Sequence, residues 1–272
     1  SQTFSGTATQ LAAAFDGFAD NALSGAITIS AGTINTTELK TISDATSGAI
    51  TLPSTNFTLS GSSSDLADAL SGNFTNYAGA VTLTDAAPSV ANLIIINNKT
   101  AGTITLNDDS ATFSGTTADV AAAFSGGLVG TQTGAVTLTD TTGTIAATTL
   151  TGITAQTDGA VGMASGGPII QGTTVEVTAA LVGAGRITAG ATKVSLTTDP
   201  TGPELALINA KTSGAITLND ATQDFTGTAT QLAAAFDGFA DNALSGAITI
   251  TGTINTTELK TISDATSGAI TL

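Results

Sequence analysis

Two stretches of this chain are almost the same sequence, 221 positions apart as measured from Phe4 to Phe225. Phe4 to Leu52 reads FSGTATQLAAAFDGFADNALSGAITISAGTINTTELKTISDATSGAITL. Phe225 to Leu272 repeats it, with Ser5 replaced by Thr226 and Ser30-Ala31-Gly32 shortened to Thr251-Gly252. Near-identity at that distance implies a recent duplication of a larger unit. The expectation is a window on a longer tandem array, continuing at both ends. That overrides the one or two globular domains that 272 residues would otherwise suggest.

A finer repeat lies inside the large one. The pattern hydrophobic-x-Gly-[Ser/Thr]-x-x-[Gln/Asp/Glu]-[Leu/Val]-x-x-Ala-[Phe/Leu]-x-Gly begins at Phe4, Leu59, Phe113, Ile170 and Phe225. A second phrase, Leu-x-x-Ile-x-x-x-Thr-x-Gly, is anchored at Leu39, Leu93, Leu150, Leu205 and Leu259. The predicted units are 1–55, 56–110, 111–167, 168–221 and a partial unit 222–272. Within each unit a glycine twice precedes an Ala-Ile-Thr-Leu-like tetrad: Gly25, Gly48, Gly79, Gly102, Gly134, Gly159, Gly190, Gly214, Gly246 and Gly268. Their spacing alternates short and long, between 22 and 32 residues.

Each tetrad alternates apolar and polar, the signature of a half-buried strand. The intervening segments have helix punctuation. Thr7 with Gln10, Ser62 with Asp65, Thr116 with Asp119, Thr173 with Glu176 and Thr228 with Gln231 hold N-cap and N3 spacing. Asn35 with Glu38 opens a second helix type that buries Leu39 and Ile42. Gly17 supplies a stop after the first helix, and Pro88 and Pro203 sit where a helix start tolerates proline. The expected fold is α/β, a solenoid of short parallel strands alternating with short helices, about 55 residues per two-turn unit. In it every tetrad would lie on the previous one, giving one continuous apolar spine. A string of small βαβα domains ranks second and an all-β helix third.

Composition closes off most chemistry. The chain has no His, Cys or Trp. His-based triads, thiolate nucleophiles and His/Cys zinc sites are therefore excluded. With 21 acidic residues, 6 basic ones and a net charge of −15, the chain lacks the cationic cluster that nucleic acid or an anionic membrane needs. Its longest strongly apolar run, Val90 to Ile96, falls short of the roughly 18 residues of a membrane span. The glycine-rich Val161–Gly167 stretch lacks the spacing of a phosphate loop. No catalytic or cofactor-binding residue is expected. A carboxylate pair on a stacked coil would have to lie in Gly159–Ile187, the least regular segment.

Three weaker patterns remain. Asp85, Asp108, Asp140 and Asp220 each follow their strand glycine by six residues. A stack would bring Asp85, Asp108 and Asp140 close together. Such a column suits either oxygen-only Ca²⁺ ligation or plain turn closure by aspartate. It is interrupted at Ser54 and displaced at Asp199. The outward strand position is threonine at Thr28, Thr51, Thr82, Thr105, Thr137, Thr217, Thr249 and Thr271, either an ice-ordering ladder or simple strand propensity. Asn-x-Ser/Thr occurs at Asn35, Asn56, Asn73, Asn98 and Asn255, as chance alone would give in so Thr-rich a chain.

The phrases Gly-Thr-x-x-x-Leu-Ala-Ala-Ala-Phe, Ser-Gly-Ala-Ile-Thr-Leu and Leu-x-x-Ile-x-x-x-Thr-x-Gly resemble the repeat regions of giant secreted surface proteins of bacteria, cyanobacterial ones especially. The resemblance spans the whole chain, is one of phrasing and composition, and carries over no functional residue. It implies export to the cell surface, attachment or lattice or fibre formation, and often Ca²⁺ dependence. The expectation is a structural, non-enzymatic repeat protein of a surface filament, stalk or surface layer, with itself as its main partner. The rival is an adhesin recognising glycan, ice or another cell.

Overall fold

The computed structural model describes residues 2–30, 34–53, 58–74, 77–164, 167–183 and 185–272. The protein is α/β, with every strand pairing in a sheet being parallel. The chain forms two compact units, one running to Ser114 and including Asp119–Gly134, the other containing Gly115–Ala118 and Ala135–Leu272.

Helices α1 (Ala8–Phe15), α2 (Thr36–Ala45), α3 (Ser63–Leu70), α4 (Val90–Lys99) and most of α5 (Thr117–Phe124) belong to the first unit. In the second lie α6 (Ala147–Gln156), α7 (Thr174–Thr178), α8 (Gly202–Asn209), α9 (Ala229–Phe236) and α10 (Thr256–Ala265). A π-helical turn, Ala179–Gly183, extends α7. These helices remove the all-β alternative.

The caps sit where the sequence places them. Thr7, Asn35, Thr173, Thr228 and Asn255 each accept from the N3 amide, and the N3 Gln or Glu returns a bond to the cap amide. Such reciprocal caps satisfy two backbone donors that a short helix would otherwise expose. At the other end of α1, Gly17 takes φ +84°, a left-handed value that stops the helix without a Cβ penalty.

The strands are two to four residues long. In the first unit Phe4–Gly6, Ile27–Ile29 and Ile50–Thr51 form one sheet, to which Phe74 adds a bridge beside Ile50. A second sheet contains Leu59–Gly61, Val81–Leu83, Ile104–Thr105 and Leu128–Val129. In the second unit Val136–Leu138, Val161–Met163 and Ile187–Thr188 pair in order. Thr144–Ala146, Ile169–Gly172, Lys193–Leu196 and Ile216–Thr217 form the next sheet, and Phe225–Thr228, Ile248–Thr251 and Ile270–Thr271 the last. Partners are always 22 to 26 positions apart, from Leu59↔Val81 to Val161↔Ile187, with a helix between them.

All ten glycine-led tetrads hold or adjoin a strand, and they are divided among five sheets. They pair two by two, as Ile27↔Ile50, Val81↔Ile104, Val136↔Val161, Val194↔Ile216 and Ile248↔Ile270. The hydrophobic-x-Gly phrases, expected only to lead into helices, are themselves strands. Leu59 follows Ile50 by nine positions and opens a new sheet by pairing with Val81, 22 residues on. The long beat is thus an ordinary ladder step preceded by a nine-residue advance. Phe225 repeats the manoeuvre nine positions after Ile216.

Inward strand residues meet inward helix residues. Ile27, Leu39, Ile42 and Ile50 are fully buried in the first unit, as are Val161, Ile170, Leu205 and Ile208 in the second. Where phenylalanine occupies both the strand and helix positions the rings pack edge to face, with centroids 5.3 Å apart for Phe4–Phe15, 5.2 Å for Phe113–Phe124 and 5.1 Å for Phe225–Phe236.

The strand glycines set how closely successive steps approach. A Cβ on Gly48 would lie 2.1 Å from the Gly25 carbonyl oxygen, and one on Gly102 would lie 2.0 Å from that of Gly79. Both obstacles are backbone and cannot turn aside. Gly102→Ala should therefore force the two strands apart and destabilise the first unit by more than about 2 kcal/mol, whereas Thr105→Val, on the exposed side of the adjoining strand, should stay within about 0.5 kcal/mol of wild type. Urea unfolding of the two variants makes the comparison, and near-equal midpoints would remove the glycine constraint.

Candidate functional site

The four candidate aspartates separate into two kinds of site. Asp85 accepts from the Ser63 amide at 2.9 Å and the Ser63 hydroxyl at 2.6 Å. Asp140 does the same to Thr117, at 2.7 Å and 2.6 Å. Ser63 and Thr117 are the first residues of α3 and α5, so each carboxylate closes a helix N-terminus from more than twenty residues downstream, where the helix dipole favours negative charge. In the corresponding place before α7, Thr198 is acceptor to the Thr174 amide at 2.9 Å.

Asp108 and Asp220 act within their own turns. Asp108 accepts from the Ser110 amide at 2.8 Å and hydroxyl at 2.6 Å, and Asp220 accepts from both groups of Thr222 at 2.7 Å. These are Asx turns. Asp85 and Asp140 each cap a helix, whereas Asp108 is held within its own turn. Among the described residues no group of three or more His, Cys, Asp or Glu side chains is placed to hold a metal ion. Ser54, where the sequence pattern breaks, and Asn56 lie outside the described residues.

Gly159–Ile187 brings no carboxylate pair together. Its one acidic residue, Glu176, accepts from the Thr173 amide at 2.8 Å in the α7 capping box. Just outside it, Asp158 is paired with the guanidinium of Arg186. Arg186 also donates to the carbonyls of Thr154 and Thr157 at 2.9 and 2.7 Å, closing the end of α6. The segment's irregularity is a local rearrangement of a helix end, involving the chain's one arginine.

The outward threonines form short rows. Ser5, Thr28 and Thr51 stand side by side in one sheet, Ser60, Thr82 and Thr105 in the next, and Thr226, Thr249 and Thr271 in the last. Most are exposed. The nine-residue advance starts a new row with each sheet, so eight threonines do not make one ladder.

A set of residues whose role the sequence did not reveal is the threonine of Thr-x-Gly. Thr100, a buried residue, donates to the Tyr77 and Gly79 carbonyls at 3.0 and 3.2 Å and accepts from the Gly102 amide at 3.1 Å. Thr46 makes the same clasp with Leu23, Gly25 and Gly48, and Thr212 with Gly190, Thr192 and Gly214. Thr157 and Thr266 accept in the same way from the amides of Gly159 and Gly268. The invariant place of threonine in the second phrase was the available signal, and only the paired steps explain it.

Comparison of the chain with protein-family models, with curated proteins and with solved structures finds no match. The geometry defines a parallel-sheet α/β protein whose polar side chains are spent on caps, turns and inter-strand clasps. Among the described residues no helix is long and apolar enough to cross a membrane.

The hydroxyl and amide of Ser110 hold the Asp108 carboxyl below the usual aspartate range, and those of Thr222 do the same for Asp220. A depressed folded-state pKa stabilises the fold above the unfolded-state value, and that contribution is lost as pH falls through the folded one. Carboxyl-carbon NMR titration should place both midpoints below that of an unstructured aspartate, and Ser110→Ala should move Asp108 back up. An unmoved Asp108 would mean that the Ser110 hydroxyl does not hold the carboxyl down.

Proposed function

We propose that this chain is a stretch of α/β solenoid that gives length and stiffness to an extracellular filament, stalk or surface layer of a bacterial cell, by repeat stacking and self-association and without catalysis. One observation carries the reading: parallel strands pair step after step with partners 22 to 26 residues along, and a 49-residue segment returns almost unchanged 221 positions later with the same caps and pairings. Such a chain grows by adding steps, because each step buries its apolar face only against its neighbours.

Surface chemistry supports the same reading. Exposed faces carry hydroxyl rows and dispersed carboxylates, with no cysteine to oxidise. Binding modules concentrate exposed aromatics, and among the described large apolar side chains Phe18 is the one aromatic that is substantially exposed. The adhesin reading therefore has less to stand on.

Electron microscopy of native material should show filaments or a lattice whose periodicity matches the 221-residue unit. Discrete monomeric particles at every concentration would overturn the proposal.

A further inference from the structure

Three of the sheets are closed at one edge by a short extended segment that the chain brings in after a helix. The Ile50 amide donates to the Asn73 carbonyl at 2.8 Å, the Ile104 amide to Gly127 at 2.7 Å and the Val161 amide to Arg186 at 2.9 Å. The residue after each accepting carbonyl, Phe74, Leu128 or Ile187, then lies beside the strand in parallel register. Ile50, Ile104 and Val161 are 0%, 1% and 0% exposed beneath this cover.

Ile216 holds the same place in a fourth sheet. On one side its strand pairs with Lys193–Leu196, and the Val194 amide donates to the Ala215 carbonyl at 3.0 Å. On the other side the strand is the edge of the sheet, and among the described residues no carbonyl accepts from the Ile216 amide. Ile216 is half-buried, unlike its three counterparts.

The chain that follows α9 turns away from this edge. Gly238 takes φ +78° and Asn242 φ 57°. The Phe239 amide donates back to Phe236 at 3.0 Å, that of Ala243 to Ala240 at 3.1 Å, and that of Asn242 to Asp264 at 2.7 Å. Asn209 Nδ2 fixes the bend by donating to the carbonyls of Ala234 and Asp237 at 2.9 Å each. A cavity of about 450 Å³ is left, lined by Gly214, Ala215, Ile216, Phe239, Ala240 and Ala243. It lies inside the second unit, with the strand Lys193–Leu196 before it and Ile248–Thr251 after it in the chain.

We propose that this groove takes an extended peptide of another protein as an added parallel strand along Ile216–Thr217. An open strand edge is a template for such pairing. The three closing segments define the occupant: a carbonyl to accept from the Ile216 amide, a large apolar residue next to cover the Ile216 side chain, and a following amide to donate to the Ile216 carbonyl. A basic residue suits the carbonyl position, as in Arg186-Ile187-Thr188, because Asp237 also lines the groove and the chain carries a net charge of −15. The site goes beyond the structural role and does not depend on self-association.

NMR titration of the full chain with the capped peptide acetyl-Gly-Arg-Ile-Thr-Ala-amide tests this. The amide signals of Gly214–Thr217 should shift saturably, and hydrogen exchange at the Ile216 amide should slow about tenfold at saturation. The Ile104 amide, which already has its acceptor, should not move. Methylating the threonine amide of the peptide removes one inter-strand bond and should weaken binding about tenfold. Replacing the peptide isoleucine by aspartate should abolish it. An Ile216 amide that stays unshifted up to about 10 mM peptide would overturn the proposal. Equal binding of the methylated peptide would overturn it as well, since strand addition requires that amide.

Discussion

The close contact between a strand glycine and the carbonyl of the preceding step governs the rest of this structure. Parallel strands of two or three residues form too few hydrogen bonds to fix their own register. Here register is fixed beside the strand, where Gly48 lies against the Gly25 carbonyl and the buried Thr46 hydroxyl joins the Leu23 and Gly25 carbonyls to the Gly48 amide. Each such hydroxyl contributes about 1 kcal/mol net, and leaving its partners unsatisfied in the interior would cost about 1–3 kcal/mol. The clasp is therefore stronger as a specification of register than as a source of stability. Because the threonine also ends α2, α4, α6 and α10, one residue stops the helix and seats the next strand.

A surface with so few cations follows from the same economy of local contacts. Only three ion pairs occur among the described residues, two of them exposed i,i+4 pairs, Lys40–Asp44 and Lys260–Asp264. Exposed pairs of this kind add little. Acidic side chains instead accept from backbone amides and hydroxyls at helix starts and turns, where partial positive charge is already fixed in place. Asp85, Asp140, Glu38 and Glu204 each do so. Negative charge dispersed over separate caps tolerates a net charge of −15 without counter-cations from the chain itself.

How much of this was legible depended on whether the signal was local. The capping boxes at Thr7 and Asn35, the stop at Gly17 and the alternation of Ile27-Thr28-Ile29 are properties of four to ten consecutive residues, and the structure repeats them. The strands at Phe4, Leu59, Phe113, Ile170 and Phe225 escaped notice because Phe-Ser-Gly is too short to show a period and reads as a helix prelude. Missing them turned a ladder step of 22 to 26 residues into an apparent alternation of short and long turns. The aspartates divide by what lies across the step, Ser63 for Asp85 and Ser110 for Asp108, which is information about pairing that spacing from a glycine does not contain. Thr-x-Gly was visible as a phrase, but its meaning depends on carbonyls 21 to 23 residues upstream.

The duplicated segment separates what the local sequence determines from what its neighbours supply. Thr9 donates to Glu38 at 2.7 Å, and Thr230 to Glu258 at 2.7 Å. The Asn21 and Asn242 backbones take φ 56° and 57°, and both amides donate at 2.7 Å to the carbonyls of Asp44 and Asp264. Even a left-handed, non-glycine conformation is thus reproduced by the segment alone, since Asn tolerates it and the contact lies within the copy. Burial is what changes, because the outer face of a helix is covered by the adjoining step and not by its own. A repeat built this way has an interior fixed by its own sequence and a face completed by whatever stands next to it.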